Sequence, residues 1–287
     1  MILIPFTKAQ GAGNDFLIID SGPKTPLPSL ELRRRICDRH YGVGADGMLF
    51  LRTPAANPDE DADLRIFNSD GGEVEISGNG TRCAAAYLVE SGRAGQEMVI
   101  RTGAGARRLQ LVSRRESHFE FEMSMGPPVF APAHIPFRPP AEDLPEPVTG
   151  FPLPLSCGER PVTVTSMGNP HCSILVDDFE WDWQALGAEI EKHPFFPNRT
   201  NVEFYRVVAR DAIEVRYWER GVGCTLSSGT GSCAAAVAAL LNKVVESPVT
   251  VKTLADPLGV HWQGGEVLLK GPAEIVCRGQ YQAQPNW

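Results

Sequence analysis

The chain has 287 residues, 43% hydrophobic and 22% charged, which is enough for two globular domains with full cores. Its net charge of −8 argues against a nucleic-acid binder, which ordinarily presents a basic face. No apolar run approaches the roughly 20 residues that span a membrane, and Met1-Ile2-Leu3-Ile4-Pro5-Phe6 lacks the length and basic leader of a signal peptide. A cytoplasmic location with no membrane partner is therefore expected.

Along the chain, a Gly13-Asn14-Asp15-Phe16 loop comes first. Ser29 then caps a predicted helix running to about residue 39. Asn68-Ser69-Asp70-Gly71-Gly72 reads as a turn. Ser77-Gly78-Asn79-Gly80-Thr81-Arg82-Cys83 opens an Ala-rich segment, predicted helical from after Asn79 to near Gly92, a normal helix terminator. In residues 118–124, Phe119, Phe121 and Met123 alternate with Glu120 and Glu122, the period-2 pattern of a half-buried strand. Residues 126–161 hold eleven prolines, a density incompatible with regular helix or central strand. They read as an extended connection between two halves, with an edge strand over part of it as the alternative.

The second half begins with Gly168-Asn169-Pro170-His171, where Asn-Pro marks a turn and His171 is either incidental to it or functional. A helix is predicted over residues 183–192, stopped by Pro194. Asn201 follows Pro197-Asn198-Arg199-Thr200 and is either a loop residue or a ligand-binding one. Residues 213–218 alternate as a strand that feeds Glu219-Arg220-Gly221-Val222-Gly223. That Glu-Arg pair either forms an exposed ion pair or binds an ammonium and a carboxylate. Ser228-Gly229-Thr230-Gly231-Ser232-Cys233 opens a second Ala-rich segment, predicted helical from after Gly231 to near Lys243. Residues 249–253 and 266–270 read as further strands. Seven dispersed cysteines, with no Cys-x-x-Cys pair, are expected as free thiols, and no metal site is expected.

The Ser77 and Ser228 turns are near copies 151 residues apart, and each half offers a Gly-Asn loop before its Gly-rich helix start. Duplication explains this most simply, and the period is too long for a solenoid. The first N–H groups of a helix lack intrahelical partners and carry partial positive charge, while glycine permits close approach of a ligand. Two such starts suit one carboxylate, with Ser77 and Ser228 flanking the attached carbon. That is the arrangement of an α-proton transfer site.

Taken together the motifs resemble the diaminopimelate epimerase family. The stretches that carry the resemblance are Gly11-Ala12-Gly13-Asn14-Asp15-Phe16, Gly42-Val43-Gly44-Ala45-Asp46-Gly47, Arg65-Ile66-Phe67-Asn68, Gly78-Asn79-Gly80-Thr81-Arg82-Cys83, Gly168-Asn169-Pro170-His171, Thr200-Asn201-Val202, Glu219-Arg220-Gly221-Val222-Gly223 and Thr225-Leu226-Ser227-Ser228-Gly229-Thr230-Gly231. The resemblance implies an α+β fold of two homologous, pseudo-symmetric domains, each a β-barrel-like sheet around a central helix. The halves are expected at residues 1–126, joined by the C-terminal tail 277–287, and at residues 127–276. It implies a cofactor-independent, metal-free amino-acid epimerase, a possible homodimer, that converts LL- to meso-diaminopimelate by two-base α-proton transfer for lysine and peptidoglycan precursor synthesis. Asn14, Asn68, Asn169, Asn201, Glu219 and Arg220 would then bind the substrate's ammonium and distal carboxylate groups. Backbone at Gly78, Asn79, Gly229 and Thr230 would hold the reacting carboxylate, and His171 and Glu219 would poise the acid/base positions, Ser77 and Ser228.

The chain departs from the family at those last two positions, which are cysteine in the family and serine here. A thiol ionises near pH 8.5, and lower at a helix N-terminus; a serine hydroxyl is a far weaker acid. Three readings stand beside each other: serine-based chemistry, a weak or inactive Ser/Ser homologue or engineered Cys→Ser variant that binds a diamino dicarboxylate without turnover, and rescue by Cys83 or Cys224. At Gly47 some family members carry a substrate-contacting Gln.

Overall fold

The structure is a computed structural model that describes residues 2–22, 25–54, 57, 59–140 and 144–283. Contacts divide the chain into two compact units, Met1–Met123 with Lys270–Trp287, and Ser124–Leu269.

In the first unit the strands are β1 (Ile2–Gly11), β2 (Asn14–Ser21), β3 (Gly47–Arg52), β4 (Ala62–Asn68), β5 (Glu73–Val74), β6 (Glu97–Thr102), β7 (Gly105–Arg115) and β8 (His118–Ser124). Its helices are α1 (Leu30–Cys37) and α2 (Gly78–Glu90). In the second unit the strands are β9 (Val148–Leu153), β10 (Arg160–Ser166), β11 (Pro170–Leu175), β12 (Asn201–Ala209), β13 (Ala212–Glu219), β14 (Gly223–Thr225), β15 (Val249–Lys252) and β16 (Leu258–His261). Its helices are α3 (Trp183–Glu191) and α4 (Gly229–Leu241), and β17 (Leu268–Ala283) returns the chain to the first unit.

The first unit closes on itself. β17 pairs with β1, β1 with β2, β2 with β3, β3 with β4, β4 with β6, β6 with β7, β7 with β8, and β8 with β17, giving an eight-stranded barrel. The second unit repeats the sequence of pairings. β10–β11 and β12–β13 are antiparallel, β11–β12 and β13–β15 are parallel, and β15–β16 is antiparallel, as are their counterparts β1–β2, β3–β4, β2–β3, β4–β6 and β6–β7. Parallel neighbours need a crossover, which α1 supplies between β2 and β3 and α3 between β11 and β12.

Each unit has a central helix, α2 or α4, packed against strands of its own sheet. Ala84, Ala85 and Ala86 of α2, and Ala234, Ala235, Ala236, Ala238 and Ala239 of α4, are wholly buried. A helix apolar on all sides is a core helix, and its small side chains let surrounding strands come close. Strands covered on both faces lose polar alternation: Phe16–Ile19 of β2 and Gly47–Leu51 of β3 are continuously buried, between α2 on one side and the Leu32/Ile36 face of α1 on the other. In the second unit Trp183, Leu186 and Ile190 of α3 pack on Val202 and Phe204 of β12.

Several sequence expectations need correction. Both central helices begin earlier than predicted, at Gly78 and Gly229, because Ser77 and Ser228 are themselves the N-caps. Helix α1 ends at Cys37, since Asp38 adopts extended backbone, φ −64° and ψ 124°. The strand expected over residues 266–270 starts at Leu268 and runs to Ala283, held by pairing with β1. The proline-rich segment is no mere connection. Ile135, Phe137, Val148 and Leu153 enter the core of the second unit, and β9 pairs with β10. The strands over 118–124 and around 213–218 occur as predicted, with Phe119, Phe121, Met123, Ile213, Val215 and Tyr217 buried. Among the described residues no helix is long and apolar enough to cross a membrane.

Candidate active site

The two helix starts share one geometry. Ser77 caps α2 at φ −139°, ψ 118°, and Ser228 caps α4 at φ −138°, ψ 124°, each before 13 helical residues. Ser77 Oγ accepts from the Gly80 amide at 3.1 Å, and Ser228 Oγ from the Gly231 amide at 3.3 Å. Both are N-cap bonds to the third helical residue, which leave the amides of Gly78, Asn79, Gly229 and Thr230 ahead of the first intrahelical acceptor. Unpartnered amides at a helix N-terminus favour an anion.

Around Ser228 the second unit assembles a polar network. Glu219 ends β13 opposite Gly223 of β14, and the intervening turn places Gly221 at φ +77° and Gly223 at φ +94°. Both conformations favour glycine. Ser228 Oγ donates to Glu219 Oε2 at 3.1 Å. Burial raises the Glu219 carboxyl above its ordinary value, against hydrogen bonds from neighbouring hydroxyls, Ser228 among them, and the charge of His171. Among the described residues no ion pair joins Glu219 to Arg220. Arg220 is the first residue of the turn after β13; it is exposed and donates through Nη1 to the Asn198 carbonyl at 3.1 Å.

His171 is no surface residue. It is wholly buried on β11, with Nδ1 2.6 Å from Glu203 Oε1 and Nε2 2.9 Å from Asn169 Oδ1. Ser173 Oγ donates to the other Glu203 oxygen at 3.1 Å. Asn201 is buried at the start of β12 and fastens two turns: its Nδ2 donates to the Pro170 carbonyl at 3.0 Å and its Oδ1 accepts from the Arg220 amide at 2.9 Å. Glu203 also reaches the helix start, since a Cβ added at Gly231 would lie 3.1 Å from Glu203 Oε1 and 3.1 Å from Ser228 Cβ.

The first unit differs in its side chains. Asn14 Nδ2 donates to Asp46 Oδ2 at 2.8 Å, in a cluster where Arg39 bridges Asp15 and Asp46 and Lys8 Nζ lies 2.9 Å from Asp15 Oδ2. Burial alone would raise the Asp15 carboxyl, but hydrogen bonds from Arg39, Lys8 and the Asp46 amide hold it well below the usual carboxylate range. Asn79 is buried and its Oδ1 accepts from Arg82 Nη2 at 2.5 Å. Asn68 is exposed at the end of β4, where its backbone closes the turn with Gly71 and Gly72.

Neither cysteine proposed for rescue lies in this hydrogen-bonded network. Cys83 is wholly buried within α2, where desolvation pushes its thiol up to about 12. Cys224 is exposed on β14, opposite Trp218. At Gly47 an added Cβ would stand 2.5 Å from the Phe67 carbonyl oxygen, so the missing side chain has no space here without backbone movement. Sequence reasoning missed Glu203, Asp46 and Ser173. The signal for Glu203 was its place two residues after Asn201 and between the apolar Val202 and Phe204, which puts both polar side chains on one face of the strand.

Solved structures place the architecture among two-domain racemase and epimerase folds. The chain covers 98% of itself and 94% of a probable proline racemase from Agrobacterium radiobacter, at TM-score 0.68 and 19% identity. A hydroxyproline epimerase from Agrobacterium vitis gives TM-score 0.68 at 18% identity, over 99% of this chain and 94% of that one. The sequence comparisons are more specific. The diaminopimelate epimerase profile matches residues 6–131 and 163–276. The diaminopimelate epimerase of Teredinibacter turnerae is 41% identical over 96% of this chain and 98% of its own length, and that of Microcystis aeruginosa is 42% identical over 97% and 99%. The chain belongs to the diaminopimelate epimerase family.

Proposed function

We propose that the chain inverts the α-carbon of diaminopimelate, LL to meso, by proton transfer through its own side chains, with Ser77 and Ser228 each serving one face of that carbon. The reaction belongs to lysine and peptidoglycan precursor synthesis. The observation that carries the reading is the pair of equivalent helix starts: two hydroxyls in matching N-cap geometry, each beside amides free to hold a carboxylate. Amides of Gly78, Asn79, Gly229 and Thr230 stabilise negative charge that grows on the carboxylate as the α-proton leaves. Asn14, Asn68, Asn169, Asn201, Glu219 and Arg220 bind the ammonium and distal groups, and His171 and Glu219 poise the proton-handling hydroxyls. A cytoplasmic location and a homodimeric state complete the reading; sedimentation velocity tests the latter.

The test is incubation with diaminopimelate in D2O, following the α-proton by NMR. Exchange above a buffer control is expected, and none at all refutes serine-based turnover. A second reading, binding without turnover, is favoured by serine at both positions where the family has cysteine. Calorimetry with LL- and meso-diaminopimelate separates the two: binding heat without exchange supports the second reading, and no heat with either isomer removes both.

A further inference from the structure

We infer that the proton acceptor on the Ser228 side is the Glu219 carboxylate, reached through the Ser228 hydroxyl, so that serine works as a relay and never as an alkoxide. The inference rests on the epimerase reading above. A serine hydroxyl has one proton and two lone pairs. The proton is directed to Glu219 Oε2 at 3.1 Å, and one lone pair accepts the Gly231 amide at 3.3 Å. One lone pair is left for the substrate.

The step balances with these groups alone. The substrate Cα–H bond breaks and its proton forms a new O–H bond at Ser228 Oγ. The original Oγ–H bond breaks in the same event, and that proton forms an O–H bond at Glu219 Oε2. The electron pair of the C–H bond stays on the substrate and delocalises into its carboxylate. Serine is neutral before and after, and Glu219 passes from carboxylate to acid. The reverse sequence returns a proton to the same face.

Position and environment both suit Glu219. It is fixed at the end of β13 by pairing with Gly223, and burial moves its carboxyl upward, toward the pH at which a general base is most effective. Among the described residues of the first unit no carboxylate is hydrogen-bonded to Ser77 Oγ, which accepts from the Gly80 amide. Parallel register aligns His171 with Asn201 as it aligns Phe16 with Gly47, and the antiparallel partner of Gly47 is Asn68. In the second unit β12 and β13 are antiparallel with Val202 opposite Trp218, a register that carries Asn201 on toward Glu219, so Asn68 stands where Glu219 stands, and a carboxamide accepts no proton at working pH.

The experiment is a cycle of four proteins: wild type, Glu219→Gln, Ser228→Cys, and both changes together. The readout is the initial rate of α-deuterium incorporation into diaminopimelate, with kcat and KM separated. With serine at 228, Glu219→Gln is expected to lower kcat about 100-fold or more, the size of a general-base contribution. In the Ser228→Cys background a thiolate accepts the proton itself, so the same change costs less than about 10-fold in kcat. Any loss of ammonium binding appears as a KM increase common to both backgrounds. The pH profile gives a second readout. The rising limb of kcat/KM in wild type belongs to Glu219, with His171 and Glu203 as its titratable neighbours, and moves to the thiol range in Ser228→Cys. Equal kcat losses in both backgrounds overturn the relay, as does a wild type that binds diaminopimelate without exchanging its proton. Absence of binding heat in wild type removes instead the epimerase reading. Should Glu219→Gln fail to fold, Glu219→Asp, which shortens the reach by one methylene, serves the same cycle.

Discussion

Removing the Glu203 carboxylate is the sharpest structural perturbation available in the second unit. Glu203 is 1% exposed and His171 wholly buried, 2.6 Å apart, with Ser173 Oγ on the second carboxylate oxygen at 3.1 Å. Glu203→Ala leaves His171 Nδ1 and Ser173 Oγ without that acceptor in a site closed to water. Breaking a buried pair from one side costs about 3–5 kcal/mol. For a unit of this size each kcal/mol moves Tm by about 2–4 °C, so a fall of roughly 6–20 °C is expected. Glu203→Gln keeps the volume and one acceptor oxygen, and is expected to lose about 1–3 kcal/mol. Urea denaturation of the full chain followed by tryptophan fluorescence measures both, because Trp181, Trp183, Trp218 and Trp262 lie within the second unit. In a double-mutant cycle, Glu203→Ala and His171→Ala should fall short of additivity by more than about 1 kcal/mol. Additive losses, or a Glu203→Ala loss below about 1 kcal/mol, refute the claim that the pair acts as a unit.

Three further outcomes are expected. Gly47→Gln should destabilise by about 1–3 kcal/mol, an overpacking cost, because its Cβ would stand 2.5 Å from the Phe67 carbonyl; thermal melts unchanged to within 1 °C would refute this. In native protein at pH 8, a thiol reagent should label Cys157, Cys224 and Cys277 rapidly and leave Cys37, Cys83, Cys172 and Cys233, which are buried, until the chain is unfolded. Peptide mapping that finds Cys83 labelled in the native state would contradict its burial and a thiol pushed up to about 12. Asp15 has a folded value below its unfolded one, about 3.9. Its stabilising contribution is therefore present above pH ~4 and lost as pH falls below it. Asp15→Asn should flatten the acid limb of a stability–pH curve, and an unchanged slope between pH 4 and 2 would refute the assignment.

What the sequence displays is local. The N-cap at Ser29 and the alternation over 118–124 and 213–218 depend on neighbours a few residues away, and they occur in the structure. The order of Gly-Asn loop, Gly-rich turn and Ala-rich helix in both halves is likewise visible without coordinates, and the repeated pairing pattern matches it. The missing parts are those set by distant partners. Glu203 meets His171 only because β11 and β12 run parallel in one register, across 32 residues of chain. The proline-rich segment contributes core residues at Phe137 and Val148 because contacts with the rest of the second unit offset its poor local propensity. Asp46 joins Asn14 through a strand pairing whose crossover helix separates the two residues.

The repeat carries two kinds of function that respond differently to substitution. Anion binding at a helix start, as proposed above, would use backbone amides, and the geometry it needs is the same in both units despite changed side chains, with cap angles agreeing to within a few degrees. Acid–base chemistry depends on side chains, and there the halves diverge at aligned register positions: Phe16 against His171, Gly47 against Asn201, Asn68 against Glu219. Serine fits the first function well, since it is among the strongest N-capping residues. It fits the second only where a neighbour takes the proton. Of the two serines, Ser228 hydrogen-bonds to a carboxylate, and Ser77, among the described residues of its own unit, to the Gly80 amide. If the two hydroxyls act as proposed, their unequal surroundings predict unequal rates of α-deuterium incorporation from LL- and meso-diaminopimelate, faster where Ser228 is the acceptor; equal rates would refute this.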